Sequence, residues 1–235
     1  MSSPSGGEAR DPAWVAPVYF LVYLVWLFFT LEGEAEHWVT MVLIPLLLVV
    51  VFQSGSTRER LGVAFRSMGL RPTRLTHGLA LTAGLGLAVC LFQIGFSRGG
   101  TEIVELLSSA RALVAVPTAL LFLLAFTAVT EETLFRGSLQ TRLERMTGSR
   151  AWGLVLSSVL FGVYHVPYAY LNPNWPSAGN WSEAWMAALG QGIPGGLILG
   201  GLFLYSGKNL YMPILFHACV DVLPAALMLK VSISG

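Results

Sequence analysis

The chain has 235 residues, of which 54% are hydrophobic and 11% are charged, and its formal net charge is +1. A soluble domain carries about 25% charged residues, so the polar surface is too small for a water-soluble globule and lipid must cover most of it. The near-neutral charge, without a Lys/Arg run, argues against a nucleic-acid partner. Neither Cys90 nor Cys219 lies in a CxxC motif, so no metal or redox pair is predicted.

The hydrophobic segments predict an all-α fold, a polytopic transmembrane helix bundle with about seven spans. A span needs about 20 mostly apolar residues, and it must be helical because backbone groups in lipid have to be satisfied within their own segment. Residues 1–12 are predicted to be a polar N-terminal tail, and residues 13–235 a single transmembrane domain. The predicted spans are about 13–31, 38–53, 75–97, 112–130, 151–171, 184–206 and 211–230.

Three further segments have predicted roles outside the spans. Residues 58–74 are amphipathic and should lie at the membrane surface, and residues 99–111 are expected to do the same on the opposite side. Residues 131–145 should prolong the fourth helix beyond the membrane. No internal repeat is present, so the whole chain is interpreted as one unit.

The distribution of basic residues predicts the orientation. Cytoplasmic loops of membrane proteins carry an excess of Lys and Arg, whereas the connections after spans one and five of this chain are acidic or neutral. We therefore expect a cytoplasmic N-terminus in the cell membrane and, for seven spans, an external C-terminus. The basic residues after spans two, four and six are Arg58, Arg60, Arg66, Arg71, Arg74, Arg142, Arg145, Arg150 and Lys208.

A glycine stripe runs along the sixth span. Gly192, Gly196 and Gly200 recur at every fourth position, which lets another helix backbone approach closely. The stripe therefore predicts tight helix packing, with a groove for an extended substrate as the alternative.

Five ionisable side chains lie in apolar runs or at their ends, where the membrane makes a charge costly. Each such group costs at least about 2.5–3.5 kcal/mol on insertion scales. The cost is tolerable only if the groups converge on one another or on water, so we expect them to surround one pocket. The five residues are Glu131, Glu132, His165, His217 and Asp221.

Helical spacing favours this convergence. Glu132 and Arg136 are four residues apart, with the acid first, so they can pair along one helix face. His217 and Asp221 have the same spacing and also share a face. Glu131 points about 100° away from the Glu132 face and remains available for another task.

Each group taken alone has a structural explanation. Glu131 and Glu132 could be an ordinary interfacial acid pair. His165 lies two residues before Pro167 and could bond a carbonyl that the proline frees. His217 and Asp221 could form an interhelical hydrogen-bond clamp. The presence of all these ionisable groups on the helices of one small bundle is harder to explain unless they form a functional site.

Taken together, these residues resemble the three motifs of the CPBP family, which includes CaaX-processing prenyl endopeptidases and bacterial relatives linked to bacteriocin processing and self-immunity. The motifs are residues 131–136 (EETLFR), 161–165 (FGVYH) and 217–221 (HACVD), and they occur in the family's order. The resemblance covers about residues 112–230, which it marks as a CPBP-like catalytic core. The first half of the chain matches only in being hydrophobic.

The resemblance implies an intramembrane peptidase that uses no metal or other cofactor. In family members, the glutamate matching Glu131 activates a water for attack on the peptide carbonyl, and the histidine matching His165 assists that water. The residues matching His217 and Asp221 stabilise the developing oxyanion. Three further motif positions are interpreted as support for the site: Glu132, Arg136 and Phe161.

Two features fit the family pattern less well. The last motif position is often Asn, which donates a hydrogen bond directly, whereas an ionised Asp221 would instead orient and charge His217; we favour this second role. In addition, His165 lies ~21 Å along its helix from Ala151, but His217 lies only ~9 Å from Tyr211. For the two histidines to meet, the helices must tilt, or span five must begin outside the membrane.

Other functions remain possible on the sequence alone. Two histidines and several carboxylates could bind zinc, although no His-Glu-x-x-His helix is present. A proton-coupled transporter should show paired broken helices in corresponding halves, and no such symmetry is found. A non-catalytic scaffold or immunity protein of the same family is a third alternative. For a peptidase, we expect contact with membrane lipid and a peptide or protein substrate at or in the membrane: a prenylated CaaX segment, a leader peptide or a C-terminal sorting segment.

Overall fold

The computed structural model describes residues 10–30, 34–70, 75–97, 99–173 and 175–229. Within these ranges the chain is all-α, without a strand, as the sequence predicts. The helices are α1 (Val15–Leu27), α2 (Glu36–Val51), α3 (Thr57–Ser67), α4 (Leu75–Phe96), α5 (Gly100–Leu107), α6 (Ala112–Thr147), α7 (Arg150–Leu171), α8 (Trp181–Tyr205) and α9 (Tyr211–Met228).

Each of the seven predicted spans coincides with an apolar helix. In the described part of the chain, five of these helices, namely α4 and α6 to α9, are long and apolar enough to cross a membrane. The other two, α1 and α2, are shorter apolar helices. Burial within the protein is low along α4, where 11% of the most apolar window is covered, and reaches 50% along α9. The protein is therefore a multi-pass membrane protein in which α9 is central and α4 faces lipid.

Both predicted interfacial segments contain short helices. Helix α3 begins with a capping box, in which the Ser56 side chain accepts a hydrogen bond from the Glu59 N–H and the Glu59 carboxylate accepts one from the Ser56 N–H. Helix α5 buries Ile103 and Leu106 on one face. Residues 71–74 and 98, and residues 1–9 of the predicted tail, lie outside the described residues.

Helix α6 is the central element of the site. Its 36 residues extend over about 54 Å at 1.5 Å per residue. They include residues 131–145, so the predicted continuation of the fourth span is helical. The half before residue 128 is partly exposed on the surface, but every residue from 130 to 143 is buried. This enclosed half contacts α1, α2, α7, α8 and α9. Wider π-type turns at Leu123–Ala128 and Thr133–Gln140 flank the α-helical turn of Glu131 and Glu132.

The glycine stripe of α8 is a packing surface. A Cβ added to Gly192 would lie 2.7 Å from Gly162 Cα, and one added to Gly196 would lie 2.8 Å from Ser158 Cα. One added to Gly200 would lie 2.5 Å from a Leu154 methyl group. Helices α7 and α8 thus approach to backbone contact along this stripe, which leaves no space there for the extended substrate that the alternative interpretation required.

Candidate active site

The three motifs lie on α6, α7 and α9, and the fold brings their ionisable side chains together. His165 Nε2 lies 4.0 Å from Glu131 Oε2, and His217 Nε2 lies 3.8 Å from the same oxygen. His217 Nε2 also lies 3.2 Å from Asp221 Oδ2. The expected convergence is therefore present, and the unequal positions of His165 and His217 along their helices do not prevent it.

Glu131 lies at the centre of this group. Its side chain is 12% exposed, and no described residue donates a hydrogen bond to its Oε2 atom, which is shielded from solvent. Burying a carboxylate oxygen without a donor is unfavourable. The Glu131 oxygen is thus a shielded acceptor that faces two imidazole nitrogens, at distances too long for direct hydrogen bonds.

Glu132 has a different environment, although it is the next residue. Its Oε1 atom lies 2.8 Å from Arg136 Nη1 and 2.8 Å from His217 Nδ1. Arg136 also donates to the Gly196 carbonyl through Nη2 at 3.2 Å. Because the Glu132 and Arg136 side chains are at most 1% exposed, this predicted pair is a buried link between α6, α8 and α9.

Phe161 forms the apolar wall of the group. The Arg136 guanidinium lies over its ring, with 4.4 Å from Cζ to the ring centroid. The His165 ring meets Phe161 edge-on at 4.6 Å between centroids, and the His217 ring does so at 6.1 Å. Phe161 therefore packs against both imidazoles and covers the buried cation.

A backbone hydrogen bond orients His165. Its Nδ1 atom lies 2.7 Å from the Phe161 carbonyl oxygen, four residues earlier on α7. Pro167 cannot donate to the Val163 carbonyl, but His165 bonds the Phe161 carbonyl instead, so the structural explanation based on a freed carbonyl does not hold. With Nδ1–H donated to Phe161, the neutral ring presents the lone pair of Nε2 towards Glu131.

His217 lies between two carboxylates. Glu132 faces Nδ1 and Asp221 faces Nε2, and an imidazolium donates to both. Exposure increases from Glu132, with 0% of its side chain exposed, to Asp221, with 40%. The group therefore has a closed side formed by Glu132 and an open side at Asp221, from which a ligand can reach His217.

The sequence of this region matches one family model. Residues 113–223, which contain all three motifs, match the family described as Type II CAAX prenyl endopeptidase Rce1-like. Over this segment the chain is similar to the Rce1-like family. The resemblance to the CPBP family is thus confirmed, and no curated protein and no solved structure matches the chain.

The match to the Rce1-like family model bears on the function of the chain. It indicates a hydrolase of the CAAX protease type, and the apolar helices place this hydrolase in a membrane that the chain crosses several times. All three motifs of the Rce1-like segment meet at the site described above. In the described part of the chain, no group of three or more His, Cys, Asp or Glu residues has the arrangement of a metal site.

A second ionic cluster, which the sequence interpretation missed, joins the Rce1-like segment to the N-terminal part of the chain. The sequence places Arg142 and Arg145 among the basic residues that follow span four, on the prolonged fourth helix, but it does not show that both bind Asp11. Arg142 contacts both Asp11 oxygens, at 2.9 Å and 3.2 Å, and its side chain is 1% exposed. No local pattern links these residues, because 131 positions separate Asp11 from Arg142.

Proposed function

We propose that the protein is a metal-independent glutamic peptidase that hydrolyses a peptide bond of a membrane-associated protein or peptide. The observation that carries this proposal is the shielded Glu131 Oε2 atom, which accepts from no described donor and faces both His165 and His217. A water beside this oxygen can donate one proton to Glu131 and hydrogen-bond with His165 Nε2.

In the proposed reaction, Glu131 is the general base. The water oxygen attacks the carbonyl carbon of the substrate while its proton passes to Glu131. The carbonyl π bond breaks and its electron pair moves to the oxygen, which becomes an oxyanion. The electron pair of the oxyanion then re-forms the carbonyl π bond as the C–N bond breaks, and the proton on Glu131 passes to the leaving nitrogen. The hydrogen bond from His165 Nδ1 to the Phe161 carbonyl supports a fixed orientation of His165 towards the water.

His217 is the proposed donor to the oxyanion. An imidazolium between Glu132 and Asp221 carries a positive charge into a site from which most water is excluded, where a donor stabilises developing charge strongly. The 3.2 Å separation from His217 Nε2 to Asp221 Oδ2 supports a role for Asp221 in charging and orienting His217. Glu132, Arg136 and Phe161 are proposed to hold these groups in place.

We propose one reaction but several classes of substrate. The matched family is described by its action on prenylated CAAX segments. The chemistry at Glu131 requires only an extended peptide that reaches the open side at Asp221. Leader peptides and C-terminal sorting segments are therefore candidates together with CaaX segments.

A peptide-library digest tests the proposal. The purified protein in detergent should cleave a subset of peptides, and Glu131→Gln, which preserves shape and removes the base, should reduce cleavage by about 10²–10⁴-fold. Glu105→Gln, at an exposed acid on α5, is the matched control and should cleave like the wild type. Equal cleavage by Glu131→Gln and the wild type would refute the mechanism.

A chelator separates the metal-independent mechanism from a zinc peptidase. Activity on a library-selected peptide should persist after treatment with a strong chelator, because carboxylate and imidazole groups perform every proposed step. Loss of activity that zinc restores would instead support a zinc enzyme.

A further inference from the structure

Helix α4 packs against α9 directly behind the last motif. The contact is close because glycines face it: a Cβ at Gly78 would lie 2.5 Å from the Met212 sulfur, and one at Gly86 would lie 3.1 Å from Cys219 Cβ. Gln93 lies seven residues after Gly86 and therefore on the same helix face. Helix α4 lies outside the segment that matches the family model.

Gln93 binds a backbone carbonyl that a proline leaves without its helical partner. The Val220 carbonyl would normally accept from the N–H of residue 224, but Pro224 has no N–H. Gln93 Nε2 donates to this carbonyl at 2.7 Å. The side chain of one helix thus replaces the missing backbone donor of another.

The carbonyl that Gln93 binds belongs to the peptide unit that leads into Asp221. A peptide unit is planar, so rotation of the Val220 carbonyl also moves the nitrogen of Asp221. Because Asp221 Oδ2 lies 3.2 Å from His217 Nε2, a small rotation changes the contact that orients the proposed oxyanion donor.

Packing alone does not explain an amide at this position. A polar side chain in a membrane helix is costly unless its groups are paired. The Oε1 atom of Gln93 is shielded and receives no hydrogen bond from the described residues. An apolar side chain of similar length would remove this unpaired oxygen, so the benefit of the amide has to come from its bond to Val220.

We propose that Gln93 is a positioning residue for the active site: by holding the Val220 carbonyl, it fixes the turn of α9 that presents Asp221 to His217. This inference rests on the proposed peptidase function. It assigns a role in the reaction to a residue of α4, a helix in which no sequence motif was found.

Substitution of Gln93 by methionine tests this role, since methionine has a similar length and favours helix. With a library-selected fluorogenic peptide, Gln93→Met should lower kcat about tenfold and leave KM nearly unchanged, because Asp221 and His217 act on the transition state. Wild-type kcat in Gln93→Met would overturn the inference. Ser97→Ala, directly after the end of α4, is the control; the hydroxyl that it removes bonds, among the described residues, to the Gln93 backbone carbonyl, and kcat should be unchanged.

Rescue by Pro224→Ala distinguishes a positioning role of Gln93 from a general contribution of Gln93 to stability. Alanine at position 224 restores the backbone N–H, so Gln93→Met should change kcat less than about twofold in the Pro224→Ala background. An unchanged tenfold loss in that background would overturn the inference.

If Pro224→Ala does not fold, Gln93→His decides instead, because its imidazole retains an N–H donor. It should retain several-fold more activity than Gln93→Met, and equal losses in the two variants would overturn the inference. The proposed function has a separate test: it fails if the wild type and Glu131→Gln cleave equally.

Discussion

Residue by residue, the site depends on the contrast between two neighbouring acids. Both acids have a shielded Oε2 atom without a described donor, but Glu132 is also bound through Oε1 to Arg136 and His217, whereas Glu131 Oε2 faces the Nε2 atoms of His165 and His217. Neighbouring residues of a helix point about 100° apart, so Glu131 faces the Nε2 atoms of the two imidazoles while Glu132 faces the closed side. The same residue type therefore has two different environments within one helical turn.

The two glutamates should differ in their effect on stability. Glu132→Gln leaves the buried Arg136 guanidinium without its ion-pair partner, so we expect unfolding to become easier by about 3–5 kcal/mol. Glu131→Gln removes no described hydrogen bond and should change the melting temperature in detergent no more than a neutral substitution does. Equal melting temperatures for Glu132→Gln and the wild type would contradict the buried ion pair.

Asp221→Asn tests which form of the last motif this chain uses. Asp221 lies in contact with His217 Nε2, so we expect its charge to matter and kcat to fall at least about tenfold when the charge is removed. The measurement is kcat on a selected peptide, with the melting temperature as a control for folding. Full activity would show that an amide donor serves at this position, as the Asn common in the family implies.

In helix α8, the effect of a glycine on packing depends on the helix face on which that glycine lies. A Cβ at Gly196 would collide with Ser158, whereas a Cβ at Gly195 would meet no atom within 4 Å in the described part of the protein. The sequence shows a run of glycines but does not show which of them face α7.

Adjacent glycines of α8 should therefore respond differently to alanine. Gly196→Ala should destabilise the protein by about 1–3 kcal/mol because it overpacks the contact with α7, and activity should fall as the Arg136 bond to the Gly196 carbonyl is displaced. Gly195→Ala should change stability by less than about 0.5 kcal/mol. Melting temperatures in detergent measure the difference, and similar losses in both variants would argue against the close α7–α8 contact.

For the molecule as a whole, the N-terminal segment is joined to the centre of the bundle. Asp11 binds Arg142 and Arg145 of α6, and α1 packs on the same enclosed half of α6 as α2, α7 and α8. The part of the chain outside the family match therefore contributes to the enclosure of the site.

The orientation of the whole chain stays a prediction from its arginines. We expect the termini on opposite sides, since five or seven crossings are both odd, with the N-terminus in the cytoplasm. A C-terminal alkaline phosphatase fusion should be active and a C-terminal fluorescent fusion dark. The reverse pattern would contradict the orientation.

A label between α1 and α2 distinguishes five crossings from seven. Thr30→Cys, in a variant without Cys90 and Cys219, should react with an impermeant maleimide from outside the cell if α1 and α2 both span the membrane. If they do not span it, Thr30 lies on the cytoplasmic side and should be protected until the cells are lysed.

The sequence by itself determined the fold class and predicted which ionisable side chains lie together. Low charge and long apolar segments require helices in lipid, and the cost of ionisable groups there identifies Glu131, His165, His217 and Asp221 as residues that must find partners. Spacing within one helix also predicted the contacts of Glu132 with Arg136 and of His217 with Asp221, because positions four apart share a face.

Only the tertiary structure decided the contacts between helices. The link from Glu132 to His217, the packing of Gly192 and Gly196 on α7, the pairing of Asp11 with Arg142 and the bond from Gln93 to Val220 all join residues distant in the chain. Helical periodicity fixes which residues share a face, but it leaves the rotation, depth and crossing of each helix open. Those are set by the packing of all the helices together.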